Sequence, residues 1–447
     1  MRVHGFVDEG LGHSSYLIDL GNGSAALVDP PRFPDAHKKL AAELGLRIVW
    51  TADTHSHADY VTGSPGLAQR RGVSFLAPAA SQLETPHHPL RDGERVELAP
   101  GVELLAIATP GHTPDHHAYV LLEDDNPVAL FSGGSLMVGG VGRTDLCGAS
   151  RAEPLAHEMF HAIHRFDTLP DDLALYPTHG AGSFCSAPAP STRTSTLGTE
   201  RTTNPLLRVN DEDEFTAELL AGLGTFPPYF ARLPELNRRG PTQYKALPEL
   251  TELSADEVDE LVASGAFVVD ARTIERFSEG HILDSISNTL RPVFATWIGW
   301  LVEPDQQIVF VLDDDQPRDE LVRQCLDVGY ERLAGVVVGG VDAWRQSGRA
   351  LARIELVGPT DVRRNLVDVR QRDEFVAGHV PDAVNIELGS VPQTELEHTP
   401  MTVMCGHGER AMTGASILAT RGYDVDVLDG GPETWADATG ETLHTGR

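Results

Sequence analysis

Short apolar runs that end abruptly on polar, glycine-rich loops recur along the chain, and each predicts a buried strand feeding a loop. Leu44–Val49 is one such run, Leu104–Ala108 a second and Met401–Met404 a third. Helical patterning predicts helices over Phe215–Leu223, Ala255–Ala263 and Ala411–Arg421. Ser254 stands where an N-cap belongs, and Glu257, three residues on, completes the pattern of a capping box. Ser186–Thr203, rich in Ser, Thr, Ala and Pro, predicts an extended surface segment, Asn237–Thr242 a linker, and Ser347–Val357 a second connection.

The pattern repeats within the C-terminal half. Val269-Asp270-Ala271-Arg272, Phe277 and Gly280-His281-Ile282 recur as Val367–Arg370, Phe375 and Gly378-His379-Val380. Val338-Gly339-Gly340-Val341 with Trp344 is echoed by Gly430-Gly431 with Trp435. A repeat of this kind predicts two copies of one fold.

In the second copy the strand Met401–Met404 runs into Cys405-Gly406-His407-Gly408-Glu409-Arg410 and then into a helix. Loop and helix-start N–H groups, with an arginine beside them, stabilise a thiolate or a persulfide. Cys405 and Arg410 are therefore the candidate catalytic pair, with Gly406, His407, Gly408 and Glu409 as the substrate-binding loop. Aligning Arg318 with Arg410 sets Asp313 opposite Cys405. A carboxylate cannot carry sulfane sulfur, and Pro317 removes a donor N–H, so the first copy is expected to be catalytically dead.

Four histidine positions follow predicted strands in the N-terminal half: His55 and His57 in His55-Ser56-His57-Ala58-Asp59-Tyr60, His112 in Thr109-Pro110-Gly111-His112-Thr113, and His179 in Tyr176-Pro177-Thr178-His179. Such junctions are where metal ligands are held on rigid elements. Composition narrows the options. Hydrophobic residues make up 41% of the 447 residues, enough for real cores. The net charge of −31 argues against nucleic acid and anionic membranes as partners. Four scattered cysteines form no disulfide framework. No apolar run of membrane length and no signal peptide stand out, so a cytoplasmic location is expected.

Residues 355–440 resemble the rhodanese family of sulfurtransferases, on the motifs Val367–Arg370, Glu374-Phe375, Gly378–Ala383, the Cys405 loop, Leu428–Gly431 and Trp435. Residues 1–240 resemble the metallo-β-lactamase fold, on the histidine motifs together with Phe131-Ser132-Gly133-Gly134 and Gly142-Arg143-Thr144-Asp145. Within that superfamily Phe131–Leu146 and Tyr176–His179 are most similar to the persulfide dioxygenases. The resemblance implies an α/β protein: an N-terminal αββα sandwich over 1–245 with metal at one edge. A dead rhodanese-like domain follows over 248–353, and an active one over 355–447, both with parallel sheets.

It also implies sulfane-sulfur metabolism: oxidation of a low-molecular-weight persulfide at a single metal ion, and sulfur transfer through Cys405. Fe(II) is expected in preference to Zn(II), a metal-free domain being the alternative. The expected partners are a small thiol persulfide, thiosulfate or sulfite; a homo-oligomer is compatible with the sequence. The resembling dioxygenases direct the arginine at position 143 to a glutathione-like carboxylate, so Arg143 is a candidate substrate contact, with an ion pair to Asp145 as the other reading. The chain departs from the pattern at two ligand positions, with Gly134 for an aspartate and Tyr60 for a histidine. That leaves His55, His57 and His112 to hold the ion, with weaker roles for Asp59 and His179. Restoring the carboxylate by Gly134→Asp is expected to tighten iron binding. His116 and His117 are expected to be no ligands, and Cys185 is expected to be a small buried hydrophobe, a sulfur relay being its other reading. The alternatives are a metal-dependent hydrolase of the glyoxalase II type and a non-catalytic persulfide-binding or regulatory module.

Overall fold

A computed structural model describes residues 1–185, 191–363 and 365–446. Two compact units emerge: residues 1–246 with 325–329, and residues 247–324 with 330–447.

The first unit packs two six-stranded sheets face to face. One runs in the order Arg2–Asp8, His13–Asp19, Ser24–Val28, Arg47–Ala52, Ser74–Pro78, His88–Leu90. The other runs Ser195–Thr196, Ala174–Pro177, Asn126–Gly133, His117–Glu123, Val102–Ala108, Arg95–Ala99. Alternate side chains of single strands enter different cores, as the two-residue period of a strand requires. Ile18, Leu104, Leu121 and Phe131 meet between the sheets. Their neighbours Leu17 and Leu27 face Ala41 and Leu67 of the helices Asp35–Glu43 and Ser64–Ala68. Val120, Leu122 and Leu130 face Met159 and Ile163 of the helix Ala149–His164. Helix layers therefore cover both outer faces, and strands buried on both sides read as nearly unbroken apolar runs.

The second unit holds two five-stranded sheets of identical, wholly parallel topology. The first has the order Glu252–Leu253, Leu333–Val337, Ile308–Val311, Phe267–Asp270, Ile286–Ser287. The second has Leu356–Val357, Val425–Leu428, Met401–Met404, Leu366–Asp368, Val384–Asn385. The repeated motif does the same work in each. Arg272 forks onto buried Asp270 and donates to Gly280 O at 2.9 Å; Arg370 forks onto Asp368 and donates to Gly378 O at 2.7 Å. His281 lies flat on Phe277 and His379 on Phe375, at centroid distances of 3.8 and 3.9 Å. The two copies share one core, in which Ile274, Phe277, Ile286 and Trp297 pack with Val367, Val403, Ala411 and Leu418.

Ser254 caps the helix Ala255–Ala263 in a complete capping box with Glu257. Ser254→Ala should cost about 1 kcal/mol, read as a lowered denaturation midpoint with an unchanged m-value.

Three connections differ from the sequence expectation. Residues 186–190 lie outside the described residues, but the rest of Ser186–Thr203 is not simply extended. Ser195–Thr196 pairs with Ala174–Leu175, and Leu197–Thr203 is a helix whose N-cap is the Thr196 hydroxyl. Asn237–Arg239, expected in a linker, closes the helix Leu233–Arg239. Ser347–Val357 contributes two short strands, Leu351–Ala352 paired with His281–Ile282, and Leu356–Val357 at the edge of the second parallel sheet. Polar and glycine-rich composition marked these as loops, and tertiary pairing overrode it. Among the described residues no helix is long and apolar enough to cross a membrane.

Candidate functional site

The histidines converge where strands of both sheets end. His55 and His57 follow Arg47–Ala52, His112 follows Val102–Ala108, and His179 follows Ala174–Pro177. All four are buried. Asp29, at the end of Ser24–Val28, organises them, and the sequence reading missed it. Its buried carboxylate accepts from Thr54 N at 2.7 Å, Thr54 Oγ1 at 2.8 Å, His57 Nε2 at 3.1 Å and the Thr178 hydroxyl. Burial works against its ionisation, but His57 outweighs burial and holds the carboxyl below its ordinary range. The visible signal was an aspartate closing an apolar strand in Leu27-Val28-Asp29-Pro30.

These bonds fix the histidine tautomers. Because Thr54 gives its hydroxyl proton to Asp29, the oxygen accepts from His55 Nδ1 at 2.8 Å, leaving His55 Nε2 a bare lone pair. His112 donates from Nδ1 to Arg143 O at 2.8 Å, and its buried Nε2 has no hydrogen-bond partner. His57 spends Nε2 on Asp29, and its Nδ1 has no partner. A histidine tied down through one nitrogen, with the other unpartnered in a dry interior, is built to bind a metal. Burial pushes His112 down to about 3 and His55 well below its ordinary value, so both stay neutral, as ligands must.

Which residues meet differs from the expectation. Ligand atoms lying within 4.8 Å of one another belong to His55, His57 and His179, and again to His112, His179 and Cys185. His179 is the common member, with its Nε2 3.4 Å from His55 Nε2. His57 and His112 do not fall in one such cluster among the described residues. Asp59 lies beside His179, its Oδ2 3.3 Å from His179 Nδ1, and neither of its buried oxygens has a well-aligned hydrogen bond among the described residues.

Gly134 has a different meaning from the one its sequence position implied. A Cβ there would stand 2.3 Å from His112 Cδ2 and 2.7 Å from its Cγ. The histidine ring fills the space that an added carboxylate would need. Gly134→Asp is therefore expected to lower stability by about 1–3 kcal/mol through overpacking and to weaken metal uptake, contrary to the simple restoration argument. Thermal melts and metal analysis of that variant check this. Gly134 N–H also donates to His116 Nε2 at 2.8 Å, while His116 Nδ1 bonds Thr109 Oγ1 at 2.8 Å. His116 thus braces the Gly133-Gly134 turn.

The loop around the histidines is tied from several sides. Asp115 accepts from Ser56 N and Oγ, and Asn237 donates to His57 O and Tyr60 O at 2.9 and 3.0 Å. Tyr60 donates to the Asp29 carbonyl at 3.2 Å and packs on His13 and His57. Burial raises its phenol well above the ordinary value, which keeps it neutral.

Arg143 does not present its guanidinium to a ligand. It is 2% exposed and forks onto Asp145 at 2.6 and 2.8 Å. It also donates to Phe184 O and Gly224 O and lies 4.2 Å from the Phe226 ring centroid. The ion-pair reading is the one that the contacts bear out, because an acidic neighbour two residues away is always within reach.

At the second unit's loop, Cys405 is 1% exposed and its Sγ accepts from Gly408 N at 3.1 Å. Gly408 has φ +100°, and a Cβ there would stand 2.7 Å from Ile274 Cδ1 of the first copy. Arg410 is not free to serve the sulfur alone: it forks onto Glu374 at 2.6 and 2.7 Å. Burial raises the Glu374 carboxyl, but Arg410 overrides burial and the net shift is downward. His407 is exposed, and Glu409 lies 4.0 Å from Arg291.

In the first copy, register corrects the alignment. Val311 pairs with Asp270 as Met404 pairs with Asp368, so Leu312, not Asp313, takes the position of Cys405. The connection to Arg318 is one residue longer, which an alignment anchored on the arginine cannot detect. Gln316 fills this loop, accepting from Asp313 N at 2.9 Å and donating to Ala271 O at 2.8 Å.

Acid should unfold the metal-free protein. His55, His112 and His116 are held by burial below their ordinary pKa, whereas the unfolded chain protonates them near pH 6.5. The unfolded state then binds more protons, so stability falls as pH drops below about 6.5, by up to ~1.4 kcal/mol per pH unit for each histidine. Denaturation midpoints at stepped pH test the slope.

Comparison with known proteins agrees with this architecture. The metallo-beta-lactamase superfamily matches residues 8–179, and the rhodanese-like domain matches residues 254–347 and 354–438. The human protein "Persulfide dioxygenase ETHE1, mitochondrial" is 34% identical over 208 residues, 44% of this chain and 73% of the relative. A hydroxyacylglutathione hydrolase of Pseudomonas entomophila is 30% identical over 220 residues, 43% of this chain and 80% of the relative. Among solved structures, a metallo-beta-lactamase from Staphylococcus aureus subsp. aureus COL aligns with a TM-score of 0.68 and 28% identity, covering 75% of this chain and 98% of its own. The fold and the histidine centre thus define a metallo-β-lactamase-superfamily protein joined to rhodanese-like domains. More particularly, the chain belongs to the persulfide dioxygenase family and is an enzyme of sulfane-sulfur metabolism that uses a metal cofactor.

Proposed function

We propose that the chain oxidises a low-molecular-weight persulfide at one Fe(II) ion in its first unit and carries sulfane sulfur on Cys405 in its second. The supporting observation is a set of buried donors: His112 Nε2 and His57 Nδ1, which have no hydrogen-bond partner, and the Asp59 carboxylate, which lies beside His179 without a well-aligned hydrogen bond. Uncompensated polar atoms in a dry interior are costly, and a cation is what such a set accommodates. Bound iron would supply dioxygen activation; zinc would not, having no redox chemistry. The protein's part is to hold the imidazoles in place through Asp29, Thr54 and the Arg143 carbonyl. In balance, one persulfide, one dioxygen and one water would give one thiol, one sulfite and two protons.

At Cys405 the thiolate attacks the outer sulfur of a donor, forming an S–S bond and releasing sulfite from thiosulfate, or a thiol from a persulfide. The sulfur leaves when an acceptor thiol or sulfite attacks it. Gly408 N–H stabilises the charge on sulfur, and Glu374 holds Arg410 in one orientation beside the loop. The domain limits 1–245, 248–353 and 355–447 belong to this reading, with the middle copy inert.

The hydrolase relatives favour a second reading, a two-metal thioesterase, but Gly134 offers no carboxylate to bridge two ions. Element analysis of protein purified without oxygen, followed by oxygen uptake with a glutathione persulfide, tests the proposal. About one iron per chain and persulfide-dependent uptake are expected; two tightly held ions without uptake would favour the hydrolase.

A further inference from the structure

We propose that Cys185 is a ligand of the metal in the first unit, supplying as a thiolate the anionic donor that position 134 lacks. The inference deepens the metal reading above and rests on it. Cys185 is fully buried, and its Sγ lies within 4.8 Å of one ring nitrogen each of His112 and His179. Asp59 borders the same cluster, interacting with both Cys185 and His179. Its two buried oxygens make no well-aligned hydrogen bond among the described residues. Two imidazoles and a thiol converge in a dry interior, with the Asp59 carboxylate at their edge, and three protein ligands are the number with which a catalytic site keeps an open position.

The placement of the cysteine is built, because Arg143 positions both sides of the cluster. Its carbonyl takes the Nδ1 proton of His112 at 2.8 Å, its N–H donates to Cys185 O at 3.0 Å, and its Nη1 donates to Phe184 O at 2.8 Å. Ser183 Oγ accepts from Cys185 N at 3.1 Å. Asp145 locks the guanidinium that makes this bridge. Gly134 fits the same scheme, since a side chain there would push His112 from its place beside the sulfur. As the metal–sulfur bond forms, the thiol proton leaves to solvent and no electron is transferred. Thiolate donors favour soft or borderline ions, and a metal deprotonates a coordinating thiol outright.

Co(II) titration of the full chain without oxygen tests the inference, in a Cys405→Ser background that removes the other candidate thiolate. A near-ultraviolet thiolate-to-Co(II) charge-transfer band is expected, lost on adding Cys185→Ser, with Co(II) affinity falling about 10–100-fold, the range seen when metal-site support is removed. X-ray absorption of the Zn(II)-loaded parent needs no Cys185 variant and should show a sulfur neighbour at about 2.3 Å. A bound ion with only nitrogen and oxygen neighbours, or a charge-transfer band unchanged by Cys185→Ser, would overturn the cysteine ligand while leaving the metal reading intact. No uptake of Co(II) or Zn(II) by the parent would overturn both.

Discussion

Cys405→Ser is expected to abolish transfer of sulfur from thiosulfate or a persulfide to an acceptor thiol. Serine is nearly isosteric, so the fold should stand, but an alcohol at neutral pH neither attacks a sulfane sulfur nor holds one. Turnover should fall at least about 1,000-fold, towards the uncatalysed rate. Cys325, also buried, has a thiol that burial pushes far up, and it belongs to the helix Arg318–Asp327 rather than to the loop. Cys325→Ser should leave transfer within about twofold, because Cys325 stands outside the loop that holds the reacting sulfur and any cost of the buried substitution falls on stability. Protein mass after brief exposure to a persulfide donor gives an independent readout: one added sulfur on the parent, none on Cys405→Ser. Transfer that survives Cys405→Ser would move the chemistry elsewhere.

His179→Ala should remove the metal of the first unit as completely as His112→Ala. Counting motif residues assigned His179 a minor part, since the partners of a second ion seemed missing. The geometry changes the count: His179 belongs to two of the three ligand clusters and touches His55, whereas His57 and His112 never share one. Losing the shared member leaves pairs of donors, too few for tight binding. Metal content after dialysis should fall to background in both variants, with persulfide-dependent oxygen uptake lost alongside. His116→Ala, which frees the Gly133-Gly134 turn without deleting a ligand, should weaken binding by about 10–100-fold and not abolish it. Full metal retention in His179→Ala would return the site to His55, His57 and His112.

Much of this was legible in the chain because it is written locally. An apolar strand that ends on histidine, or on Cys-Gly-x-Gly, announces both an element and its chemistry, and the repeat from Val269 to Val367 announces a second copy of a fold. What escaped the sequence depends on distance in space. Asp29 lies far from the histidines in sequence and reaches them only because strands Ser24–Val28 and Arg47–Ala52 pair in parallel. The fork of Arg410 onto Glu374 joins residues of two different helices. The exchange of Asp313 for Leu312 needed sheet register, where one residue decides which side chain faces the loop. Arg143 was ambiguous because an arginine near an aspartate reads equally as a ligand clamp or an internal brace.

Removing the first rhodanese-like copy carries a cost unrelated to chemistry. Ile274, Phe277, Ile286 and Trp297 lie in the hydrophobic interior of its catalytic sibling, and Ile274 abuts the loop glycine at 408. Four such side chains represent on the order of 10 kcal/mol of apolar burial, comparable to the whole stability of a typical domain. The two copies therefore melt and mutate as one cooperative body. A change in the first copy's loop leaves these contacts standing, but the polypeptide around that loop cannot be discarded. Whatever its loop does, the first copy is half of a hydrophobic core.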